Sequence, residues 1–360
     1  MSGQSRKSGW HFFNGWIWGF KRMFIGDCSS LKSLFFAQSV LNVFSPTQNV
    51  GRMMKERRMW FRELLCLVSC LCMTVFSVSE TYAKDLFVNN VAGSDNQNGQ
   101  APNGNGGKTG PVRTISRAMS LAGKGDTIYV AKTAETYQES ISLQGGKNSG
   151  LVGKNFTIIG DGVVLDGRTD VPDDQWELLA DNIYSIPAPS QYSLLYLSDK
   201  PAERVQLEEG IKELPELAEN QWCLFNRRIY FRTNQTMLPR EYDLTYNTRR
   251  VGITLVNCRN VTIQGFIVQG FQLDGINAHD NVFGATLVGI TARGNGRSGI
   301  SVGGASRVTI EACLVGNNGT AQVRTEGFSE TKLKNNDLLD DDPQAPALVS
   351  TGGRVEQVEE

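Results

Sequence analysis

Chemistry in this chain is concentrated around one short stretch, Asp274-Gly275-Ile276-Asn277-Ala278-His279-Asp280, with Ser301, Arg324 and Glu326 following it. Cleavage of a glycosidic bond needs two carboxyl groups on opposite sides of a sugar, one as acid and one as base or nucleophile. Asp274, Asp280 and Glu326 are the candidates for those roles. Arg324 could bind the carboxylate of an acidic sugar, Asn277 could hold a hydroxyl, and His279 shares their groove. A lyase would instead need a base at the carbon α to a carboxylate and a cation to neutralise that carboxylate, usually calcium on clustered aspartates. Asp340-Asp341-Asp342 is such a cluster by sequence, and beside Pro343 it also reads as a solvated loop. The plainer reading of the whole set stays open. Outward positions on a solvated sheet are polar by default, and Asp before Gly is ordinary turn chemistry. Asp161 and Asp166, each beside glycine, are read as turns on that ground.

Composition removes several alternatives. His11 and His279 are the only histidines, so a zinc site built from several histidines lacks ligands, and a Ser-His-Asp triad has little to work with. A formal net charge of −1 gives no reason to expect nucleic acid or an anionic membrane as partner. There is no dinucleotide-binding, phosphate-loop or kinase signature, and no organic cofactor is implied; calcium is the one metal the carboxylates suggest. Cys223, Cys258 and Cys313 are widely spaced and odd in number, which reads as buried free thiols and not as a disulfide framework.

The candidate residues need elements to hold them, and a repeat supplies these. Ile263, Leu287, Ile310 and Leu333 occupy equivalent places in Val261-Thr262-Ile263, Ala285-Thr286-Leu287, Val308-Thr309-Ile310 and Thr331-Lys332-Leu333, spaced by 24, 23 and 23 residues. Gly252-Ile253, Gly275-Ile276, Gly299-Ile300 and Gln322-Val323 form a second column in phase with the first, and Gly270, Gly294 and Asn317 a third at turns. A repeat of this length is one coil that cannot bury its apolar face alone, so the coils stack. Side chains alternate along each strand. If Ile276, Ala278, Ile300, Val302 and Val323 point inward, then Asn277, His279, Ser301, Arg324 and Glu326 point out, with Asp274 and Asp280 flanking.

Upstream, Ile115, Ala118, Met119 and Ala122 make the apolar stripe of a short helix closed by Gly123, suited to covering the open end of a solenoid. Gly93-Ser94-Asp95, then Pro111-x-x-Thr114-Ile115-x-x-Ala118, then Gly125-Asp126-Thr127-Ile128-Tyr129-Val130 resemble the N-terminal module of secreted β-helix proteins of the pectate-lyase-like superfamily. Residues 156–167 resemble the first full coil of that group. The resemblance implies an all-β, right-handed parallel β-helix (a solenoid) with a short N-terminal capping helix. Between residues 168 and 250 the period breaks into short alternating strands around Trp176, Tyr184, Tyr196, Trp222 and Tyr230, which is similar to the β-rich insert of several β-helix glycoside hydrolases. Trp176 and Trp222 are the insert's candidate sugar platforms.

The organisation expected is therefore 84–167 for the cap and first coils, 168–250 for the insert and 251–360 for the coil stack. Ahead of them, Lys55 to Arg58, the apolar run Leu64–Val78 and the small residues Thr81 and Ala83 read as a signal peptide over 53–83, cleaved after Ala83. A lipid-bearing Cys70 is the alternative, since Leu67-Val68-Ser69-Cys70 resembles a lipobox. Residues 1–52 read as an upstream extension, with translation starting at Met53, Met54 or Met59. The chain stops at Glu360 as another coil begins, short for a polysaccharide depolymerase. The sequence thus leads to a secreted, monomeric carbohydrate-active enzyme, a glycoside hydrolase or polysaccharide lyase, with no membrane span in the mature chain. The alternative is a non-catalytic surface or matrix β-helix that binds glycans or proteins.

Overall fold

A computed structural model describes residues 83–208, 210–341 and 345–358. The described residues belong to one compact unit, Thr81–Glu360. The expected extension and signal segment, apart from Ala83, lie outside the described residues, as does Asp342 of the acidic run.

Two stacked parallel sheets carry the fold. The first runs Asp85–Val88, Thr127–Val130, Phe156–Asp166, Arg259–Gln269, Phe283–Val288, Arg307–Glu311, Glu330–Lys334, Arg354–Val358, with Thr291–Arg293, Leu314–Gly316 and Asp337–Leu338 alongside. The second runs Ile141–Gln144, Ile253–Val256, Asp274–Asp280, Ser298–Val302, Ala321–Thr325, Leu348–Ser350. Register matches the repeat: Ile263 faces Leu287, Leu287 faces Ile310, and Ile310 faces Leu333 in the first sheet. Ile253, Ile276, Ile300 and Val323 line up in the second. Both columns are buried in one continuous core. The chain is a right-handed parallel β-helix.

The first coil pairs directly with the coil that follows the insert. Ile158 faces Ile263 and Leu143 faces Leu255, so the stack closes as though residues 168–250 were absent. Those residues form a five-stranded and a four-stranded sheet of mostly antiparallel pairs, with a core of their own containing Ile186, Trp222, Ile229 and Phe231. Trp222 is 1% exposed, its indole N–H donating to the Ala202 carbonyl at 3.0 Å, and Trp176 packs against that core. Trp222 therefore offers no free face for a sugar, while Trp176 stays partly exposed.

Helix Ile115–Leu121 packs on the first strands of both sheets, burying Ile115, Ala118 and Met119. Its start is fixed by carboxylates. Asp95 accepts from the backbone N–H of Arg113 and Thr114, both at 2.9 Å, and Glu139 accepts from those of Ile115 and Ser116 at 2.9 and 3.0 Å. Orphan helix N–H groups and the helix dipole both favour acids here. The Gly-Ser-Asp loop is thus a clamp on the helix.

At the turns between the sheets, backbone bonds to the neighbouring coils, such as Gly294 N–H to the Asn317 carbonyl, are joined by side-chain amides inside the coil. Asn295 accepts from the Phe271 N–H at 3.1 Å, donates to the Val268 carbonyl at 3.2 Å, and meets the Asn318 amide oxygen at 3.0 Å. Asn318 donates in turn to Ala292, Gly316 and Gln322. This buried amide ladder helps to crowd two members of the glycine column, alongside the Gly299 carbonyl at 275 and the Val315 side chain at 299. A Cβ on Gly275 or Gly299 would stand 2.8 Å from the Nδ2 of Asn295 or Asn318. Cys223, Cys258 and Cys313 are free and buried, and burial pushes the thiols of Cys223 and Cys313 up to about 11.

Replacing Asn295 with alanine strands the Phe271 N–H and the Val268 carbonyl in the core, so a loss of about 3 kcal/mol is expected from unsatisfied buried groups. Urea unfolding of Asn295→Ala measures it; a midpoint equal to that of the unaltered protein would remove the ladder from the account.

Candidate functional site

The outward column of the second sheet runs Ser142, Thr254, Asn277, Ser301, Arg324, Val349. The parity argument therefore places Asn277 and Arg324 on one face, both partly exposed, with Ser301 between them and only 2% exposed.

Asp274 sits at the start of its strand and is fully buried. Arg297 grips it bidentately, Nε to Oδ1 at 2.9 Å and Nη2 to Oδ2 at 2.5 Å; Ser298 donates to Oδ1 at 2.5 Å and Asn277 to Oδ2 at 2.7 Å. All its acceptor capacity is spent within the protein. Hydrogen bonding to Asp274 pushes the Arg297 guanidinium above its ordinary range, against the opposing effect of burial. Asp274 therefore positions Arg297 and Asn277 and presents no oxygen to solvent.

Arg297 leans outward from that anchor. Its Nη1 is 3.9 Å from Glu326 Oε1, and Arg324 Nη1 lies at 3.9 Å from the same oxygen. Arg324 also donates to Thr320 Oγ1 at 3.2 Å, while its Nε is buried without a partner. The insert reaches this edge as well, with Tyr192 packed on Gly296, the residue before Arg297, so closely that a Cβ there would meet its carbonyl. Arg297, Thr320 and Tyr192 were not foreseen from the sequence.

Farther along the strands, His279 and Asp280 are exposed. The next coil carries Gly303-Gly304 at this place, and Gly304 holds φ 61, where glycine is cheapest. A Cβ on Gly304 would lie 2.6 Å from Asp280 Oδ1, and one on Gly303 would lie 4.0 Å from Glu326 Oε2. Asp280 and Glu326 thus approach a bare glycine floor from the coils on either side. Phe328, two residues beyond Glu326, is 90% exposed while its N–H donates to the Gly304 carbonyl at 2.8 Å. Among the described residues no group of three or more His, Cys, Asp or Glu gathers as a metal site, and no helix is long and apolar enough to cross a membrane.

The fold and its repeat agree with a family model described as right handed beta helix region, which matches residues 241–356. No curated protein matches the chain in sequence. Among solved structures it is similar to "The complex structure of XylC with xylose", at 13% identity and TM-score 0.37, covering 76% of this chain and 70% of that one. It is similar to a structure titled "Glycoside hydrolase", at 8% identity and TM-score 0.36, covering 77% and 95%. A third, "Crystal structure of pectate lyase Pel9A", is 11% identical with TM-score 0.34, covering 71% of this chain and 54% of that one. Likeness at this distance concerns the coil architecture alone.

Removing the charge of Asp274 leaves Arg297 without its buried partner, and breaking such a pair from one side costs about 3–5 kcal/mol. Arg297 is 22% exposed, so Asp274→Asn is expected at the lower end, about 3 kcal/mol, in denaturant unfolding. A cost below about 1 kcal/mol would mean the pair is as expendable as a surface salt bridge.

Proposed function

We propose that this protein is a secreted carbohydrate-active enzyme that hydrolyses a polysaccharide on the outer face of its second sheet. The observation that carries the reading is the meeting of Asp280 and Glu326 across Gly303-Gly304. Coils stack about 4.8 Å apart, so backbones two coils apart are separated by about 10 Å, with both side chains leaning into the gap. Inverting glycosidases hold their carboxyls roughly 6.5–9.5 Å apart to admit a water beside the sugar. The glycine floor leaves room for a pyranose ring between the two groups.

Roles follow from the surroundings. Glu326, with two guanidinium groups 3.9 Å away, serves as the base, and Asp280, the other carboxyl at the glycines, takes the remaining role of acid. Asn277 and Arg324 supply contacts to hydroxyls or to an acidic substituent, and His279 borders the acid. Asp274 works through Arg297. Phe328 offers the flat apolar face on which sugar rings stack.

Glu326→Gln and Asp280→Asn are each expected to lower kcat by at least about a hundredfold, the contribution of a single general acid or base, with melting unchanged. Phe328→Ala should raise KM several-fold with kcat nearly intact. The assay follows reducing ends and the ultraviolet absorbance of an unsaturated uronate over neutral and uronate polysaccharides, with calcium or chelator. Absorbance that vanishes in chelator would replace hydrolysis by calcium-dependent elimination. A folded protein that binds glycan but cleaves nothing would make the chain a binding module.

Secretion rests on the residue pattern at 53–83. Expression in a host with a general secretory pathway should release a protein whose N-terminal sequence begins at Lys84; retention of the full chain in the cytoplasm would argue against export.

A further inference from the structure

A second cluster of charge lies where the insert's four-stranded sheet meets the first sheet of the coils, away from Asp280 and Glu326. It lines a cleft of about 200 Å³ bounded by Arg168, Tyr196, Lys200, Gln269, Arg293 and Asn317, with Asp199 at its rim. Asp166, read from sequence as a turn, is instead a buried strand residue behind the wall of this cleft.

The wall is built as one connected network. Arg168 donates from Nε and Nη2 to Asp166, at 3.0 Å to Oδ1 and 2.7 Å to Oδ2. Gln269 Nε2 donates to the same carboxylate at 2.9 Å, and Gln269 Oε1 accepts from Arg293 Nε at 3.0 Å. The Arg168 guanidinium lies 4.9 Å over the Tyr196 ring, whose hydroxyl is tied to the Gly294 carbonyl. Burial opposes ionisation of Asp166, but the hydrogen bonds from Arg168 and Gln269 prevail and hold its carboxyl below the usual range. It is therefore charged.

Three cations, Arg168, Lys200 and Arg293, then stand against two carboxylates, Asp166 and Asp199, and one positive charge is left over. Arg168 is satisfied by both acids. Among the described residues, neither Lys200 nor the two terminal amino groups of Arg293 has an acidic partner. A guanidinium held by its Nε, with both Nη groups free, is a fork ready for a carboxylate. The space far exceeds the roughly 30 Å³ of a water and falls below the roughly 300–1,000 Å³ of pockets for larger ligands, which suits one sugar ring. Gln269, Asn317 and Asp199 are of the type that hydrogen-bonds ring hydroxyls.

We infer that this cleft is a binding site for a single uronic acid residue, with Arg293 and Lys200 holding its carboxylate. It is an accessory subsite at the root of the insert, separate from the proposed cleavage groove and independent of whether that groove is catalytic. An acidic glycan chain would be held there by one residue while other parts of it occupy the second sheet.

The test is titration of the purified protein with glucuronate and galacturonate, and with glucose, acetate and inorganic sulfate as controls, followed by calorimetry or ligand-observed NMR. Expected is saturable binding of one uronate that Arg293→Ala and Lys200→Ala each weaken about tenfold, the scale of one charge-assisted contact, with melting temperature unchanged. Glu326→Gln should leave this binding intact, which separates the subsite from the groove. Uronate binding that survives the double variant Lys200→Ala/Arg293→Ala would overturn the assignment. So would glucose binding as well as glucuronate, or acetate and sulfate competing at equal concentration, since the cleft would then select no acidic sugar. Absence of any uronate binding would overturn it outright.

Discussion

Corner backbone groups that turn into the coil, such as the Phe271 N–H and the Val268 carbonyl, need a side-chain partner, even though backbone bonds such as Gly294 N–H to the Asn317 carbonyl and Gly296 N–H to the Phe271 carbonyl link the corners of successive coils. At the corner that leads into the second sheet those inward groups are met by the side-chain amides of Asn295 and Asn318, with Gln322 and Asn247 continuing the column at its two ends. Buried backbone groups left without partners would each cost on the order of 1–3 kcal/mol, repeated at every coil. The ladder sets the rest. Together with the Val315 side chain and the Gly299 carbonyl it leaves no room for a Cβ at 299 and 275, and it ties the turn that carries Arg297 to the coils on either side. Asn247 also donates to the Tyr192 carbonyl and accepts from the Leu194 N–H, so the same ladder anchors the insert.

The parts of this architecture that are periodic were legible in the sequence. Ile263, Leu287, Ile310 and Leu333 pair in register because a buried strand position tolerates little besides a branched apolar side chain, and repetition makes that visible. Strand parity likewise put Asn277 and Arg324 on one face. What lay off the strands was not legible. Asn295 follows Gly294, and Asn318 follows Asn317, so both read as turn residues; only stacking reveals that they turn inward. Asp274 was read as a catalytic candidate flanking the strand because its partner, Arg297, belongs to the turn of the following coil, and a pair across coils leaves no local pattern. Asp166 and Arg168 were hidden in the same way by the glycine between them. Trp222 was misleading for another reason: a small sheet pair needs large side chains to build any core, and Trp222 is consumed there.

Both charge clusters on this molecule share a design. In each, a buried aspartate holds an arginine bidentately, and the ordered side chains around it then face a groove: Asp274 with Arg297, and Asp166 with Arg168. The aspartate removes conformational freedom from a long side chain before any ligand arrives, so the entropy of ordering it is not charged against binding. The insert borders both clusters, through Tyr192 at one and Tyr196 with Lys200 at the other.

The direct pairing of the first coil with the coil after the insert has a kinetic consequence. Coils from residue 251 onward form from contacts between neighbours 23–24 residues apart, such as Asn295 with Asn318, and can propagate as a one-dimensional array. Joining the first coil is different, since contacts such as Cys258 with Leu143 span 115 residues and demand closure of the whole intervening loop. Non-local closure of this kind slows folding. The C-terminal coils are thus able to zip early, and the N-terminal cap docks late, as a lid arriving on a stack already built. Until then the newest edge of that stack is uncovered, so the waiting time before docking, more than the stability of the finished helix, governs how exposed the chain is to edge-to-edge association.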